Sequence, residues 1–333
     1  MRIMKPILVS GIQTTGRLHL GNYLGALKNF VDLQNSGAYE CYFFLADLHS
    51  LTEQFDPKEK PKQVLELAAD FLAAGLDPKK SVIFQQSQIP AHSELAWILG
   101  TIAPMGELKR MTQFKEKSER DKEDANVGLF YYPILMAADI LLYDAKFVPV
   151  GDDQLQHLEL ARTLARKFNA KFGDTFTEPK PLLTQTPRVM NLAEPGRKMS
   201  KSRSHPMNVV YVDDAPEDIK AKIARATTDS GSEVSYEPEK KPGLANLIDM
   251  YAALSGKEPK AVAEDFSGKK YSEFKAALAE LVADHFAGFR ERKKALLAKP
   301  ETIEKAIAEG SKKAGKVANK KMADAKKKIG LAL

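Results

Sequence analysis

The sequence predicts an α/β fold, a Rossmann-like doubly wound parallel sheet with a C-terminal helical domain. Three observations carry that reading. Short, wholly apolar runs alternate with amphipathic stretches through the first half, as strands buried on both faces and their covering helices do. After Pro187 the β periodicity fades and the remaining chain reads as helix. The length of 333 residues favours two domains, and no repeat of solenoid or propeller period is present.

Pro6–Ser10 (PILVS) reads as the first strand, ending at Gly11, and Leu18–Gln34 follows as a helix with Leu20, Leu24, Leu27 and Val31 at helical spacing. Cys41–Ala46 (CYFFLA) is the second strand, Pro61–Gly75 a helix that Gly75 can end, and Ser81–Gln85 the third strand. Phe147–Val150 (FVPV) is a further strand before Gly151, and Leu155–Lys167 is helical again. Residues 86–146 are too many for a plain crossover, so an inserted helical and charged segment is expected there, with a mobile surface loop within Gly106–Gly128. Pro216–Thr227, Gly243–Ser255, Tyr271–Lys294 and Glu301–Ile329 read as helices. The last sets Ile303, Ile307, Ala314, Val317, Met322 and Ile329 along one stripe. The expected organisation is a catalytic domain over 1–190, a loop and linker over 191–206, and a helical domain over 207–333.

Composition narrows the class. The one cysteine, Cys41, excludes an internal disulfide and fits a reducing compartment. No apolar run approaches the ~18 residues of a membrane span, so a cytoplasmic protein without a membrane partner is expected. The net charge of +6 is uneven, because residues 290–333 hold 14 Lys and Arg against 5 Asp and Glu. A basic tail on a slightly acidic body suits either an anionic partner such as nucleic acid or a solvated lysine-rich helix.

Two motifs carry the chemistry. Gly11-Ile12-Gln13-Thr14-Thr15-Gly16-Arg17-Leu18-His19-Leu20-Gly21-Asn22 joins the first strand to the first helix, where an open α/β sheet places its ligand crevice. The spacing fits neither a dinucleotide fingerprint nor a P-loop, which leaves a nucleotide site of another type. His19 taken alone reads more readily as a capping or core histidine than as part of a nucleotide site. Lys198-Met199-Ser200-Lys201-Ser202, between Gly196 and Pro206, reads as a flexible cationic loop able to neutralise a departing pyrophosphate, or in isolation as an exposed basic turn. His157 and Glu159 lie two apart on a helix and face different ways, so no metal pair is expected. Trp97, the only tryptophan, is expected in the core or at a dimer contact.

The strand–GxxxxGxxHLGN–helix opening together with the late KMSKS loop resembles the joint signature of class I aminoacyl-tRNA synthetases. The stretches Tyr132–Tyr143 (YPILMAADILLY), Gly151–Leu160 (GDDQLQHLEL), Gly106-Glu107 and Met111–Ser118 (MTQFKEKS) narrow the resemblance to bacterial tryptophanyl-tRNA synthetases, in family order from Pro6 onward. Tyrosyl enzymes share the fold and a KMSKS-type loop, but the MAADILLY stretch and helical tail favour tryptophan. The resemblance implies activation of L-tryptophan by ATP to an adenylate, transfer to tRNA(Trp), Mg²⁺ accompanying the phosphates, and a homodimer. It further implies an ATP site formed by Gln13, Thr14, Thr15, His19, Gly21, Asn22, Gly151, Asp152, Asp153 and Val189. Lys198, Met199, Ser200, Lys201 and Ser202 then serve the phosphates, with Lys115 a third cation. Asp139 accepts the indole N–H, Tyr132 and Gln154 hold the α-amino group, and His49, Met136, Val148 and Val150 shape the pocket. Thr14-Thr15, His19 and Leu48 depart from residues frequent in the family.

Overall fold

The computed structural model describes residues 5–112, 126–151, 154–183, 188–200 and 205–332. Five parallel strands form one sheet in the order β3-β2-β1-β4-β5. β1 (Ile7–Gln13) runs two residues beyond Gly11, where the sequence pattern places its end. Gly11 pairs with Phe44 of the neighbouring strand, and a Cβ there would lie 2.7 Å from the Phe44 ring. The glycine admits an aromatic side chain across the ladder and does not terminate the strand.

The first helical stretch comprises α1 (Leu20–Asn22), a π-helical segment (Tyr23–Leu27) and α2 (Lys28–Ser36). Leu20, Leu24 and Leu27 are buried as their spacing predicts, but Leu18 lies outside the helix. β2 (Glu40–Ala46), α3 (Lys60–Ala74) and β3 (Ser81–Gln85) follow, and Gly75 closes α3 at φ 112°. α4 (Ala91–Gly100), α5 (Met105–Arg110) and α6 (Val127–Leu141) form the insertion, whose loop over 113–125 lies outside the described residues. β4 (Phe147–Val150) and α7 (Leu155–Phe172) lead to β5 (Lys180–Leu183), a strand the sequence conceals. Its KPLL is short and holds Pro181, which an edge strand tolerates because its outer N–H positions need no partner.

The remaining chain is helical: α8 (Pro216–Ala224), α9 (Pro242–Ser255), α10 (Pro259–Asp265), α11 (Tyr271–His285), α12 (Ala287–Leu297) and α13 (Pro300–Lys328). The sequence shows one helix over Tyr271–Lys294. The structure breaks it at Phe286, which is buried edge-on against Tyr23 at 4.8 Å. Long-range contacts, and not the local pattern, mark the break, since the Tyr23 hydroxyl also lies 3.3 Å from His285 Nε2.

Two cores lie on opposite sides of the sheet. Leu8, Ile12, Phe43 and Leu45 face one, shared with α3 and the C-terminal helices, while Val9, Tyr42 and Phe44 face the other, shared with α4, α6 and α7. The period-2 alternation of strand side chains produces this division.

α13 departs from the sequence reading, which groups it with the helical domain. It lies across the outer edge of β3: a Cβ on Gly310 would sit 1.8 Å from the Ile83 carbonyl oxygen, and the Gln85 N–H donates to Ser311 Oγ at 3.2 Å. Lys321 bonds Asp144 at 2.7 Å and Lys326 bonds Glu94 at 2.8 Å. Part of the basic tail thus anchors the helix, and the covered strand cannot pair with another chain. Trp97 is 72% exposed, which excludes the core.

Candidate active site

The nucleotide crevice begins where β1 ends. Gly16 takes φ +58° in the turn after Gln13, a left-handed conformation that glycine adopts at no steric cost. His19 is the N-cap of α1, its Nδ1 accepting the Asn22 N–H at 3.2 Å, and it is also buried. The turn is held by an unexpected neighbour. Leu20 N–H donates to the Val210 carbonyl at 2.8 Å, and Val212 N–H donates to that of Leu18 at 3.0 Å. The first motif therefore pairs, backbone to backbone, with the segment following the second.

The second motif enters along the same wall. Met190 bridges Lys198, and the Met199 N–H donates to the Val189 carbonyl at 3.0 Å. Val189 in turn lies against Gly21, 3.4 Å from where a Cβ would be. Four residues expected at the ATP have buried side chains, Thr14, His19, Val189 and Met199. Met199 is buried in the core and anchors its loop there. Thr14 is buried, donating to Ser50 Oγ at 3.1 Å. Lys198 is exposed, Ser200 half-buried, and the Asn22 Oδ1 is buried without a hydrogen-bond partner among the described residues. Lys115, Asp152, Asp153, Lys201 and Ser202 lie outside the described residues. Gly151 ends β4, and Gln154 opens α7 with its N–H on the Gly151 carbonyl at 3.0 Å.

On the other side of the sheet from these motifs, Asp139 projects from α6 and is 1% exposed. Its Oδ2 is 2.7 Å from His49 Nε2, and its Oδ1 takes Gln86 Nε2 at 2.7 Å and His92 Nδ1 at 2.6 Å. A carboxylate only accepts, so both histidines present N–H to it. The other ring nitrogen of His92, Nε2, lies 2.8 Å from the Tyr143 hydroxyl. Burial works to raise the Asp139 pKa, but the charge and hydrogen bond of His49 and those of His92 outweigh it and hold it at about 2. Asp139 is a fixed, buried anion.

A carboxylate offers about four acceptor positions. Among the described residues three are taken, and the remaining one is on Oδ2. Tyr132, one helical turn before Met136, sends its hydroxyl to His157 Nε2 at 2.6 Å. His157 thus supports Tyr132, while Glu159 faces solvent with Arg162 and Arg166. Val148 and Val150 of β4 are buried in the core on this side of the sheet, and Met136 packs partly buried against it. Sequence reasoning misses Gln86, His92 and Tyr143, which lie 53, 47 and 4 residues from Asp139. No spacing rule links the first two to it.

A 3-2-1-4-5 parallel sheet with a glycine-histidine turn after β1, a cationic segment beside it and a buried, hydrogen-bonded carboxylate defines a class I aminoacyl-tRNA synthetase. The family model described as tRNA synthetases class I (W and Y) matches residues 4–287. The chain belongs to this family and, within it, to the tryptophan--tRNA ligases. It is 47% identical over 325 residues to the tryptophan--tRNA ligase of Caldanaerobacter subterraneus subsp. tengcongensis, covering 97% of this chain and 98% of that one. The tryptophan--tRNA ligase of Clostridium perfringens is 44% identical over 332 residues, 99% of each chain. The tryptophanyl-tRNA synthetase structure from Mycoplasma pneumoniae superposes with a TM-score of 0.89 at 34% identity, covering 99% of both chains. That from Campylobacter jejuni, complexed with ADP and tryptophan, gives 0.81 at 36%, covering 97% and 99%.

Proposed function

We infer that the protein joins L-tryptophan to tRNA(Trp) in two steps, with ATP entering as its magnesium complex. The observation that carries the substrate assignment is the buried, ionised Asp139 with one acceptor position left beside three fixed donors. An indole ring brings one donor, its N–H, and no acceptor. A phenol would bring a hydroxyl that must both donate and accept. In the first step the tryptophan carboxylate, already ionised at pH 7, attacks the α-phosphorus and pyrophosphate leaves. No general base is needed, and the rate comes from alignment and from charge placed where the leaving group develops. Lys198 and Lys201 take that role with Lys115, while Gln13, Thr15, Gly21, Asn22 and Gly151–Asp153 line the nucleotide. The helical region within 207–333 supplies the tRNA-reading surface, and the cytoplasm, where tRNA is charged, is the place of action.

Pyrophosphate exchange into ATP, dependent on tryptophan and not on tyrosine, tests the reading. Exchange supported by tyrosine or absent with tryptophan overturns it. Lys201→Ala is expected to lower kcat of exchange by ~10²–10³ while tryptophan binding, followed by equilibrium dialysis, stays within twofold.

A homodimer is part of the same reading. It is supported by exposed Trp97 on α4, Met105 on α5 and Val127 at the start of α6, on helices joined where the Tyr131 hydroxyl donates to the Ala96 carbonyl at 2.5 Å. Light scattering should give twice the chain mass for the wild type and a monomer for Trp97→Glu.

A further inference from the structure

The two nucleotide motifs are joined by more than a backbone ladder. Beside the pairing of Leu18–Leu20 with Val210–Val212 runs an alternating chain of six charges. Arg17 Nε and Nη2 bond Asp213 Oδ1 at 3.1 and 2.6 Å, and Nη2 also bonds Asp214 Oδ1 at 3.0 Å. Lys222 of α8 closes on Asp214 Oδ2 at 2.5 Å, which also accepts the Tyr211 N–H at 2.9 Å. Lys293 of α12 bridges Asp213 at 2.8 Å and Asp70 of α3 at 2.7 Å. The guanidinium carbon of Arg17 stands 4.3 Å from the centre of the Tyr211 ring. Asp70, Asp214, Lys222 and Lys293 are all buried. Arg17 is the most exposed of the six, its side chain 44% accessible, and it alone among them belongs to the first motif.

We propose that Arg17 is a positioning residue for adenylate formation. It sets the first motif against the segment after the second, so that the groups on either side of the triphosphate are held in one register. A planar fork spans two adjacent carboxylates, and a point charge cannot reproduce that. Those carboxylates are themselves pinned by Lys222 and Lys293 from separate helices. Moving Arg17 therefore shifts the turn at 16–19 relative to 205–214, and the His19 cap and the Lys198 stem shift with it. Asp139, on the far side of β1, is not part of the chain of charges. The expected signature is a loss in turnover with little loss in tryptophan recognition. A misplacement on the scale of an ångström is enough for a large effect on rate.

This inference rests on the ligase reading, and tryptophan-dependent exchange by the wild type separates the two. If the wild type fails, the reading fails. If the wild type works, the variants judge Arg17. Arg17→Met should lower kcat of ATP–pyrophosphate exchange at least tenfold, leave the KM for tryptophan within twofold, and shift the melting temperature by only a few degrees. Arg17→Lys should recover part of the rate. Asp213→Asn should reproduce the loss, and the double variant Arg17→Met/Asp213→Asn should be no slower than the worse single one, as expected of groups acting as a unit. A wild-type rate in Arg17→Met overturns the proposal. So does a rate loss that tracks an equal rise in the tryptophan KM or a matching loss of thermal stability, because a merely structural role would give that. Should Arg17→Met fail to fold, the KM and kcat of Arg17→Lys decide by the same criteria.

Discussion

Asp139→Asn is expected to lower kcat/KM for tryptophan by ~10²–10³, or about 3–4 kcal/mol of differential binding, with the KM for ATP within twofold. The substitution keeps the shape and turns one acceptor into a donor. Two orientations are open to the amide. With its nitrogen at the Oδ1 position it opposes Gln86 Nε2 and His92 Nδ1, both donors. With its nitrogen at Oδ2 it meets His49 Nε2, and His49 can yield by changing tautomer. The second orientation is therefore preferred, and it points an N–H at an indole N–H. Histidine can adapt to the substitution, and indole cannot. Discrimination against a tryptophan analogue carrying sulfur in place of the ring N–H should collapse in the same variant. An unchanged tryptophan KM would remove Asp139 as selector. Its pKa of about 2 lies below the ~3.9 of an unfolded aspartate. Its contribution to stability is therefore complete above about pH 4 and is lost as the pH falls towards 2, and the variant should lack that acid limb.

Gly310→Val should destabilise the fold by more than about 3 kcal/mol, read as a fall in melting temperature of about 6 °C or more. The position leaves no alternative to displacement, because the new Cβ would meet the Ile83 carbonyl at 1.8 Å and its carbon at 2.7 Å. That oxygen belongs to a strand held in the β2 ladder, so the helix must lift. Lifting it breaks the bond between Gln85 and Ser311 and opens the buried row formed by Ala314, Ala318, Met322 and Ala325. Gly315→Ala is the control on the same helix. Its Cβ would stand 3.9 Å from Ile89 Cγ1, an ordinary contact, and removing a mid-helix glycine should gain up to ~1 kcal/mol. Equal behaviour of the two variants would show that α13 is not seated on β3 as described.

The strands β1 to β4 and most helices are legible because burial on two faces leaves an uninterrupted apolar run and burial on one leaves a 3.6-residue stripe. β5 is not, since an edge strand of four residues with a proline carries neither pattern. The break at Phe286 and the π-helical turn at Tyr23–Leu27 are equally hidden. Both occur where the first helical stretch meets the C-terminal helices, through Tyr23 on His285 and Phe286, and Tyr23 and His285 are 262 residues apart in sequence. The stripe on α13 does mark a buried face. It does not identify the partner, because an apolar stripe states that a face is covered without naming what covers it.

By itself the order of residues determined the doubly wound sheet, the two motifs and the family, and it pointed to Asp139. Those are properties of local pattern, written in contiguous segments that any chain must carry to do the same chemistry. Only the tertiary structure decided how that carboxylate is held, by Gln86, His49 and His92, and how Arg17 is gripped by Asp213 and Asp214. It also decided that the final helix covers the sheet edge. The physical reason is common to all three. Hydrogen bonds and ion pairs between distant segments depend on distances of a few tenths of an ångström, and those are set by packing and not by the spacing of residues along the chain.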